Sequence, residues 1–512
     1  MKINADKKTV FEVDGKPFIA IAGETHNSSS SSAEFMESVW DAAVRLGLNT
    51  VLLPVTWELF ELMEDTFDFT LVDALILQAR ERDMHIIFLW FGSWKNAQCL
   101  YAPEWVKTDT KRFERAQIMK GEKKVFIQDF YNIPYTSLSY LCEESMRADA
   151  KAFSKLMSHL KIVDEREHTV IGVQVENETG IQGAKREHSD LADQLFEDVV
   201  PEDFANYMGK AKGYTWEDTF GRDAEETFSA FYIASYVEYV AKAGKKEYHL
   251  PLMVNAWLEQ GEAGLYPSGG PIAKMMEVWK YAAPAIDVFA PDIYVRNFTQ
   301  VCEEYSKLGN KLVIPETAIH SHCAPRLIYT IGHHHASCFA PFGFEDMGKP
   351  FNNTQGALFG IDVTDPLLEK PQNIDEYRFC AKTLKSMMEL LVERYGTNKL
   401  QAVISENMNG PIKLSFEEYG FEIDMFCDEV TREDGVCLVL EEEKDTFFLI
   451  INGCKINPFF RNDQKGNCDF LYMEEGSFQD GEWKRGRRLN GDEIFSPVFN
   501  QFTLLKVKLF AY

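Results

Sequence analysis

The unit that decides the fold lies at residues 18–55, which read FIAIAGETHNSSSSSAEFMESVWDAAVRLGLNTVLLPV. FIAIAG (18–23) and TVLLPV (50–55) are short, almost continuously apolar runs, which is typical of strands covered on both faces. Between them, the apolar residues of AEFMESVWDAAVRLG (33–47) recur at helical spacing. Two buried strands joined by a helix predict a parallel sheet covered by helices.

The same alternation continues along the chain to about residue 400. Six more apolar runs follow, namely HIIFLWF (85–91), TVIGVQV (169–175), PLMVNAW (251–257), IDVFAP (286–291), KLVIPE (311–316) and ASCFAPF (336–342). Helical patterns accompany them at 70–83, 144–164, 227–244, 271–283 and 374–396. Eight strands alternating with helices predict an α/β fold, one closed (β/α)8 TIM barrel. An open doubly wound sheet would normally carry a glycine-rich phosphate loop after strand one, where this chain has GETHNSSSSS.

Different patterns flank the barrel on both sides. VFEV and KPFIAIAG enclose Asp14-Gly15, a dipeptide that favours a tight hairpin turn. From residue 400 the period falls to two in KLSFEEYGFEID, GVCLVLEEEKDTFFLIING and FNQFTLLKVKLFAY. We therefore predict a catalytic barrel with an N-terminal hairpin at 1–399 and a sandwich-like all-β domain at 400–512.

Composition limits the classes of partner. The 512 residues are 45% hydrophobic and 26% charged, as in a soluble globular protein. A net charge of −27 argues against nucleic acid and anionic membranes as partners, and the basic run at 484–488 lies among acidic residues, as a solvated turn would. The first residues lack the apolar stretch of a signal peptide, no run is long enough to span a membrane, and the ten cysteines form no CxxC pair. These features predict a cytoplasmic protein with reduced thiols.

Glutamates follow two of the predicted strands. Strand four runs into Glu176-Asn177-Glu178, and strand seven ends at Pro315-Glu316. In a barrel both groups open onto the C-terminal face, where active sites form. One such glutamate alone is more simply a loop cap or a lysine partner. Several together raise one another's pKa, and glycoside hydrolysis uses one protonated and one ionised carboxyl, so the pair favours catalysis.

Two short segments carry a family resemblance. VQVENETG (173–180) and VIPET (313–317) resemble the acid/base and nucleophile motifs of clan A glycoside hydrolases, especially family 35 β-galactosidases. The resemblance implies that Glu178 is the acid/base, that Asn177 contacts the sugar 2-hydroxyl, and that Glu316 is the nucleophile. It also implies a retaining mechanism.

Further segments extend this resemblance over nearly the whole chain. Residues 47–76 resemble the strand-two segment of family 35, with Trp57 at its tryptophan position. The segments Gly23–Ser29, Leu89–Asn96, Tyr101–Lys107 and Tyr266–Pro271 are similar to a bacterial branch of the family that carries a C-terminal domain of unknown function.

One segment departs from the family. The ICAEW-like motif after strand three, whose glutamate holds galactose hydroxyls, is replaced by Gly92–Asn96. Glu24 and Glu58 are the candidates to take over its task, so the preference for galactose stays open. Other residues at the ends of the predicted strands are candidate substrate contacts, namely His26, Asn27, Asn96, Trp57, Trp94, Trp257 and Tyr294. A tryptophan there can equally belong to the core, and Tyr294 is a candidate hydrogen-bond donor to the nucleophile.

Histidines raise the question of a metal site. His320, His322 and the run 333–335 are not spaced to share a helix face with a carboxylate, and Cys323 beside His320 has no third group to orient a nucleophilic dyad. Hydrolysis by two carboxyls needs no metal, so we predict neither a metal nor a cofactor.

The residues and the resemblance together predict a retaining exo-acting β-glycosidase, a β-galactosidase in the first instance, acting on an oligosaccharide or other β-glycoside. A β-glucosidase and a transglycosidase on the same scaffold are the alternatives within the enzyme class. A non-catalytic carbohydrate-binding protein is the alternative outside it. The sequence leaves the oligomeric state open.

Overall fold

The computed structural model describes residues 8–126, 128–130, 133–320, 322–349, 373–406, 410–425, 435–461, 467–479, 481–495 and 497–512, with the backbone alone at 128–130 and 133–135. Strands β1 (Phe11–Val13) and β2 (Lys16–Phe18) form the predicted antiparallel hairpin. Asp14 and Gly15 at its turn have φ of 51° and 72°, as a tight turn of this type requires.

A parallel sheet forms the barrel. Its first strands are β3 (Ala20–Glu24), β4 (Thr50–Thr56) and β5 (His85–Phe91). The long loop after β5 contains two small hairpins, β6 (Ile118–Lys120) with β7 (Lys123–Val125) and β8 (Gln128–Phe130) with β9 (Ile133–Tyr135). The barrel continues with β10 (Val170–Val175), β11 (Leu252–Trp257), β12 (Val288–Ile293), β13 (Val313–Ile314), β14 (Glu316–Thr317) and β15 (Cys338–Phe339).

Each of the eight predicted runs contains a strand of this sheet, but the seventh is divided in two. Its order is β13-β15-β3-β4-β5-β10-β11-β12-β14, so the ring closes across the break between β13 and β14. Pro315 stands at that break and has no N–H to donate to a ladder. The last predicted run, 336–342, forms a strand only at Cys338–Phe339, with one further bridge from Phe342 to Glu24.

Helices surround the sheet. Their bounds are α1 (Ala33–Leu46), α2 (Trp57–Phe60), α3 (Thr70–Arg80), α4 (Glu104–Thr108), α5 (Glu143–Asp164), α6 (Asp190–Glu197), α7 (Glu202–Tyr207), α8 (Trp216–Phe220), α9 (Ala224–Glu247), α10 (Met276–Ala282), α11 (Phe298–Tyr305), α12 (Cys323–His333), α13 (Ile374–Ser386) and α14 (Met388–Arg394). α1 shows why the local sequence forms a helix. The Ser32 hydroxyl accepts from the N–H of Phe35 at its start, and Gly47 ends it with φ 80°. The predicted helix at 374–396 is divided at Met387. None of the described helices is long and apolar enough to cross a membrane.

The C-terminal residues form two antiparallel sheets, as the period-two pattern predicts. A six-stranded sheet has the order β16-β19-β20-β25-β22-β23 and a four-stranded sheet has the order β17-β18-β21-β24. The strands are β16 (Leu400–Ile404), β17 (Ile412–Ser415), β18 (Tyr419–Met425), β19 (Val436–Glu443), β20 (Thr446–Asn452), β21 (Cys454–Phe460), β22 (Cys468–Gln479), β23 (Glu482–Leu489), β24 (Val498–Phe499) and β25 (Thr503–Ala511), with a short helix α15 (Asp492–Phe495). Alternate residues of both sheets, such as Phe421 and Leu449, enclose a common core.

The opposite face of the six-stranded sheet packs on the barrel. Leu438 and Ile450 belong to the same apolar cluster as the barrel helices. Gly332 of α12 permits the approach, because a Cβ there would lie 2.5 Å from the Cβ of Ala402. The rings of His333 and His335 lie 3.1 and 3.2 Å from the carbonyls of Ala402 and Leu400. The domain boundary at 399/400 stays a prediction.

Candidate active site

Three buried carboxyls meet at the C-terminal end of the barrel. Glu178 follows β10, Asp292 belongs to β12 and Glu316 begins β14. One oxygen of each lies within 4.8 Å of the others, and the three residues are 5%, 3% and 4% exposed. The fold therefore brings together the two glutamates that the sequence singles out and adds an aspartate.

Glu316 has a hydroxyl donor at one oxygen and an ammonium group near the other. The Tyr294 hydroxyl donates to Oε2 at 2.8 Å, which is the hydrogen bond that the sequence suggested for this tyrosine. The ammonium nitrogen of Lys95 lies 4.0 Å from Oε1. A donor and a positive charge both favour the ionised form of a carboxyl.

Glu178 is held by amides and has a raised pKa. The Asn96 side chain donates to its Oε2, and its own N–H donates to Oδ1 of Asn255 at 2.9 Å. Asn255 in turn donates to Oδ2 of Asp292 at 2.8 Å. Burial and the nearby Glu316 raise the pKa of Glu178 to about 8. At neutral pH this carboxyl retains its proton and can act as an acid.

The backbone at this glutamate is unusual. Glu176 and Glu178 have φ of 62° and 45°, and in the facing loop Asn96 and Ala97 have φ of 53° and 58°. A left-handed conformation costs a side-chain-bearing residue about 1–2 kcal/mol. Hydrogen bonds between the two loops hold it, since the N–H of Ala97 donates to the carbonyl of Glu178 at 3.0 Å and that of Asn177 to the carbonyl of Trp94 at 3.2 Å. Strain of this kind is typical of functional sites.

Two more of the predicted contacts lie in the same cluster. Glu24 ends β3, and its pKa is raised well above the ordinary value by burial and by Glu316 beside it. Asn177 is fully buried, and neither polar atom of its side chain has a hydrogen-bond partner among the described residues. Buried amides are normally paired, so this one is available to a hydroxyl group of a ligand.

The three tryptophans occupy different environments. Trp57 is fully buried and its indole N–H donates to Glu61 at 2.7 Å. Trp94 is fully buried as well and donates to Ser137 at 3.1 Å. Only Trp257 of the three is partly exposed, at the end of β11. The structure thus places two rings in the core and leaves Trp257 as the candidate for stacking on a sugar.

Three further polar candidates have environments of other kinds. Glu58 pairs with Lys107 at 3.1 Å, and both side chains are about one-third exposed. The His26 ring lies 2.8 Å from Oδ2 of Asp346. Asn27 is half-buried, and its Oδ1 has no partner among the described residues. Their roles as substrate contacts stay predictions.

Asp149 of α5 and Glu176 form a second group of buried carboxyls, separate from the cluster of three. Asp149 accepts from the Trp90 indole at 2.8 Å and from the N–H and hydroxyl of Ser93 at 3.1 and 2.6 Å. Glu176 accepts from the N–H of Trp94 at 2.7 Å, and burial together with Asp149 raises its pKa well above the ordinary value. The pair therefore fixes the loop that supplies Lys95 and Asn96.

Sequence reasoning missed most of this support. Asp149 interrupts the buried face of an amphipathic helix, which was the one available signal. Gly92 is required because a Cβ there would lie 2.7 Å from both Oδ1 of Asp149 and Oε1 of Glu176. Lys95 gave no signal, because nothing in its sequence neighbours shows that it is buried.

Substitutions of Asp149 and Glu176 should change the free energy of unfolding by different amounts. Glu176→Gln preserves an acceptor for Trp94 and a donor for Asp149, so we expect a folded protein. Above the unfolded pKa of glutamate, which is about 4.3, the side chain of Glu176 takes up a proton when the wild-type chain folds. The free energy of unfolding of the wild type therefore falls as the pH rises from 5 to 8. The glutamine variant lacks this decrease, so its stability relative to the wild type rises over the same range. In Asp149→Asn the new amide NH₂ group faces the donors of Trp90 or Ser93. The free energy of unfolding should therefore fall by about 2–4 kcal/mol. Urea unfolding of the wild type, Glu176→Gln and Asp149→Asn at pH 5 and at pH 8 measures these free energies. An equal loss of stability in the two variants would contradict the prediction.

One compact group of acidic, histidine or cysteine side chains among the described residues has the spacing of a metal site. It consists of Glu178, Asp292 and Glu316. The histidines that the sequence raised lie elsewhere, and half-buried His320 has a pKa lowered well below its ordinary value by desolvation and by Arg326.

Comparisons with known proteins give one family-model match and several structural similarities. A family model described as a domain of unknown function, DUF5597, matches residues 382–498, and no curated protein sequence matches. A β-galactosidase from Bacillus circulans sp. alkalophilus is similar in structure with a TM-score of 0.48 and 12% identity over 72% of this chain and 56% of its own.

Two further structures are similar over comparable lengths. The exo-β-1,4-mannosidase Op5Man5 from Opitutaceae bacterium strain TAV5 gives a TM-score of 0.43 and 14% identity over 74% of this chain and 62% of its own. A β-galactosidase from the psychrophilic Marinomonas ef1 gives 0.44 and 11% over 72% and 60%. The chain thus spans less than two thirds of each protein, and at these scores the similarity says nothing about substrate.

Proposed function

We propose that the chain is a retaining, exo-acting β-glycosidase with Glu178 as acid/base and Glu316 as nucleophile. The buried pair of carboxyls carries the proposal, since an oxygen of one lies within 4.8 Å of an oxygen of the other. Carboxyls of retaining enzymes lie about 5–5.5 Å apart, whereas inverting enzymes need about 6.5–9.5 Å to admit a water. The short separation supports attack by the enzyme's own carboxylate.

The first half of the reaction uses the two carboxyls in opposite states. Glu316 attacks the anomeric carbon, and Glu178 gives its proton to the leaving oxygen as the glycosidic bond breaks. The pKa of Glu178, raised to about 8, supplies that proton at neutral pH. Tyr294 holds Oε2 of Glu316 at 2.8 Å, which leaves the other oxygen to form the bond.

The second half reverses the role of Glu178. Once Glu316 is esterified to the sugar, its negative charge is gone, and that charge is one of the two main causes of the raised pKa. The pKa of Glu178 then falls, so the carboxylate can take a proton from the attacking water. We assign the contact with a sugar hydroxyl to Asn177, because its amide is buried and has no partner among the described residues.

A terminal β-galactoside is the proposed donor, and a set of aryl β-glycosides tests it. We expect hydrolysis of the galactoside with β-galactose as the first product seen by proton NMR. A site built around an axial hydroxyl leaves polar groups unpaired with the wrong epimer, so the glucoside should be slower by up to about 10⁴-fold. Equal rates, or a faster glucoside, would remove galactose from the proposal, and α-sugar as the first product would remove retention.

A substitution of Glu24 makes this test more specific. Glu24→Gln should shrink the margin between the two epimers, because its carboxyl lies among the reacting groups. Glu441→Gln is the matched control, since it changes another buried glutamate in β19 of the C-terminal sheet. Transfer of the sugar to an added alcohol in preference to water would identify a transglycosidase with the same two glutamates.

A further inference from the structure

Lys95 is a buried ammonium at the centre of the candidate site. Its side chain is 5% exposed, and its nitrogen lies 4.0 Å from Oε1 of Glu316 and 5.1 Å from the centre of the Phe91 ring. It belongs to the segment Gly92–Asn96, in which this chain departs from the family-35 pattern. Buried lysines are rare unless a charge compensates them.

Acidic groups face Lys95 from four sides of the barrel. They are Glu24 at the end of β3, Glu178 after β10, Asp292 on β12 and Glu316 on β14. The Tyr294 hydroxyl, which follows β12, donates to Glu316. Burial alone would lower the pKa of Lys95, but the carboxyls of Glu316, Glu178, Glu24 and Asp292 raise it overall. The lysine therefore stays charged.

One positive charge cannot balance four carboxylates in a buried space, so most of the carboxyls keep their protons. Burial raises the pKa of Glu24 and Asp292 well above the ordinary value and that of Glu178 to about 8. Glu316 differs from them in geometry. Among the described carboxyls it alone lies within 4.0 Å of the ammonium nitrogen, and it also accepts from the Tyr294 hydroxyl.

We propose that Lys95 is a positioning residue that holds the negative charge of the cluster on Glu316 and leaves the proton on Glu178. This inference rests on the proposed function, because it assigns to one lysine the division of labour between acid and nucleophile. The lysine acts through the two glutamates and forms no bond to the sugar.

The test is the pH profile of kcat/KM for an aryl β-galactoside in Lys95→Met and Lys95→Arg. An opposite charge at about 4–6 Å lowers a carboxyl pKa by about 1–3 units, so methionine should move the acidic limb upward by about that amount. The basic limb should rise by less, because Lys95 also lowers the pKa of Glu178 but interacts more strongly with Glu316. Arginine keeps the charge and should restore most of the wild-type profile. A structural role alone would lower the rate and leave both limbs in place.

Lys245→Met is the matched control. Lys245 forms another ion pair with little exposure, with Asp287 at 2.6 Å, at the opposite end of the barrel strands. Its loss should affect stability but not the limbs of the profile.

Carbon-13 titration of the glutamate side-chain carboxyls gives a readout that needs no substrate. The Glu316 resonance, assigned by its disappearance in Glu316→Gln, should titrate at higher pH in Lys95→Met than in the wild type. An unchanged titration and an unchanged pH profile would overturn the inference while leaving the glycosidase intact. A shifted titration in a protein that cleaves none of the glycosides would instead overturn the proposed function alone.

Discussion

Glu316→Ala should lower kcat for an aryl β-galactoside by about four orders of magnitude or more, because the double displacement then has no nucleophile. The residue is buried beside the Tyr294 hydroxyl. In the proposed mechanism its truncation leaves a space next to the anomeric carbon. Azide or formate can occupy that space and attack in its place. We therefore expect partial recovery of turnover with added azide, and α-glycosyl azide as the product identified by NMR.

The rescue distinguishes chemistry from misfolding. A variant that is merely unfolded would not recover with a small anion, and Glu441→Ala provides a truncated buried glutamate outside the barrel for comparison. Near-normal turnover by Glu316→Ala without any anion would contradict the nucleophile assignment.

Glu178→Gln should produce a loss that depends on the leaving group. General acid catalysis contributes about 10²–10⁴-fold, and a leaving group that departs without a proton does not need it. The variant should therefore lose far more activity on phenyl galactoside than on dinitrophenyl galactoside. In the wild type, activity on the phenyl substrate should fall as pH rises past about 8, the pKa of Glu178, because the acid loses its proton.

The variant should lose that basic limb. Stopped kinetics over pH 5–10 with both substrates measures the effect. An equal loss for both leaving groups, or a basic limb that persists in Glu178→Gln, would assign the acid to another group. Asp292 is then the first candidate, because it is buried within 4.8 Å of the same oxygens.

The barrel could be predicted because its strands are apolar on both faces and most of them are followed by a helical period. The helices α11 and α12 after strands six and seven were not predicted. The division of strand seven was not predicted, because Pro315 stands at the end of the predicted run 311–316, where a missing N–H interrupts no ladder. Glu178 and Glu316 could be identified since strand ends converge on one face of a barrel. Lys95 and Asp149 could not, because their roles depend on neighbours more than fifty positions away, such as Glu316 and Trp90.

The contact between the barrel and the six-stranded sheet has a thermodynamic consequence. Leu438 and Ile450 contribute to the same apolar cluster as the barrel helices, and Gly332 lets α12 lie directly on Ala402. Removing the sheet would expose this surface to water, at a cost of roughly 25 cal/mol for each Å² of apolar area. The two parts are therefore coupled in their unfolding equilibria. A cavity made in β19, far from any carboxyl of the site, lowers the fraction of chains in which those carboxyls are assembled at all.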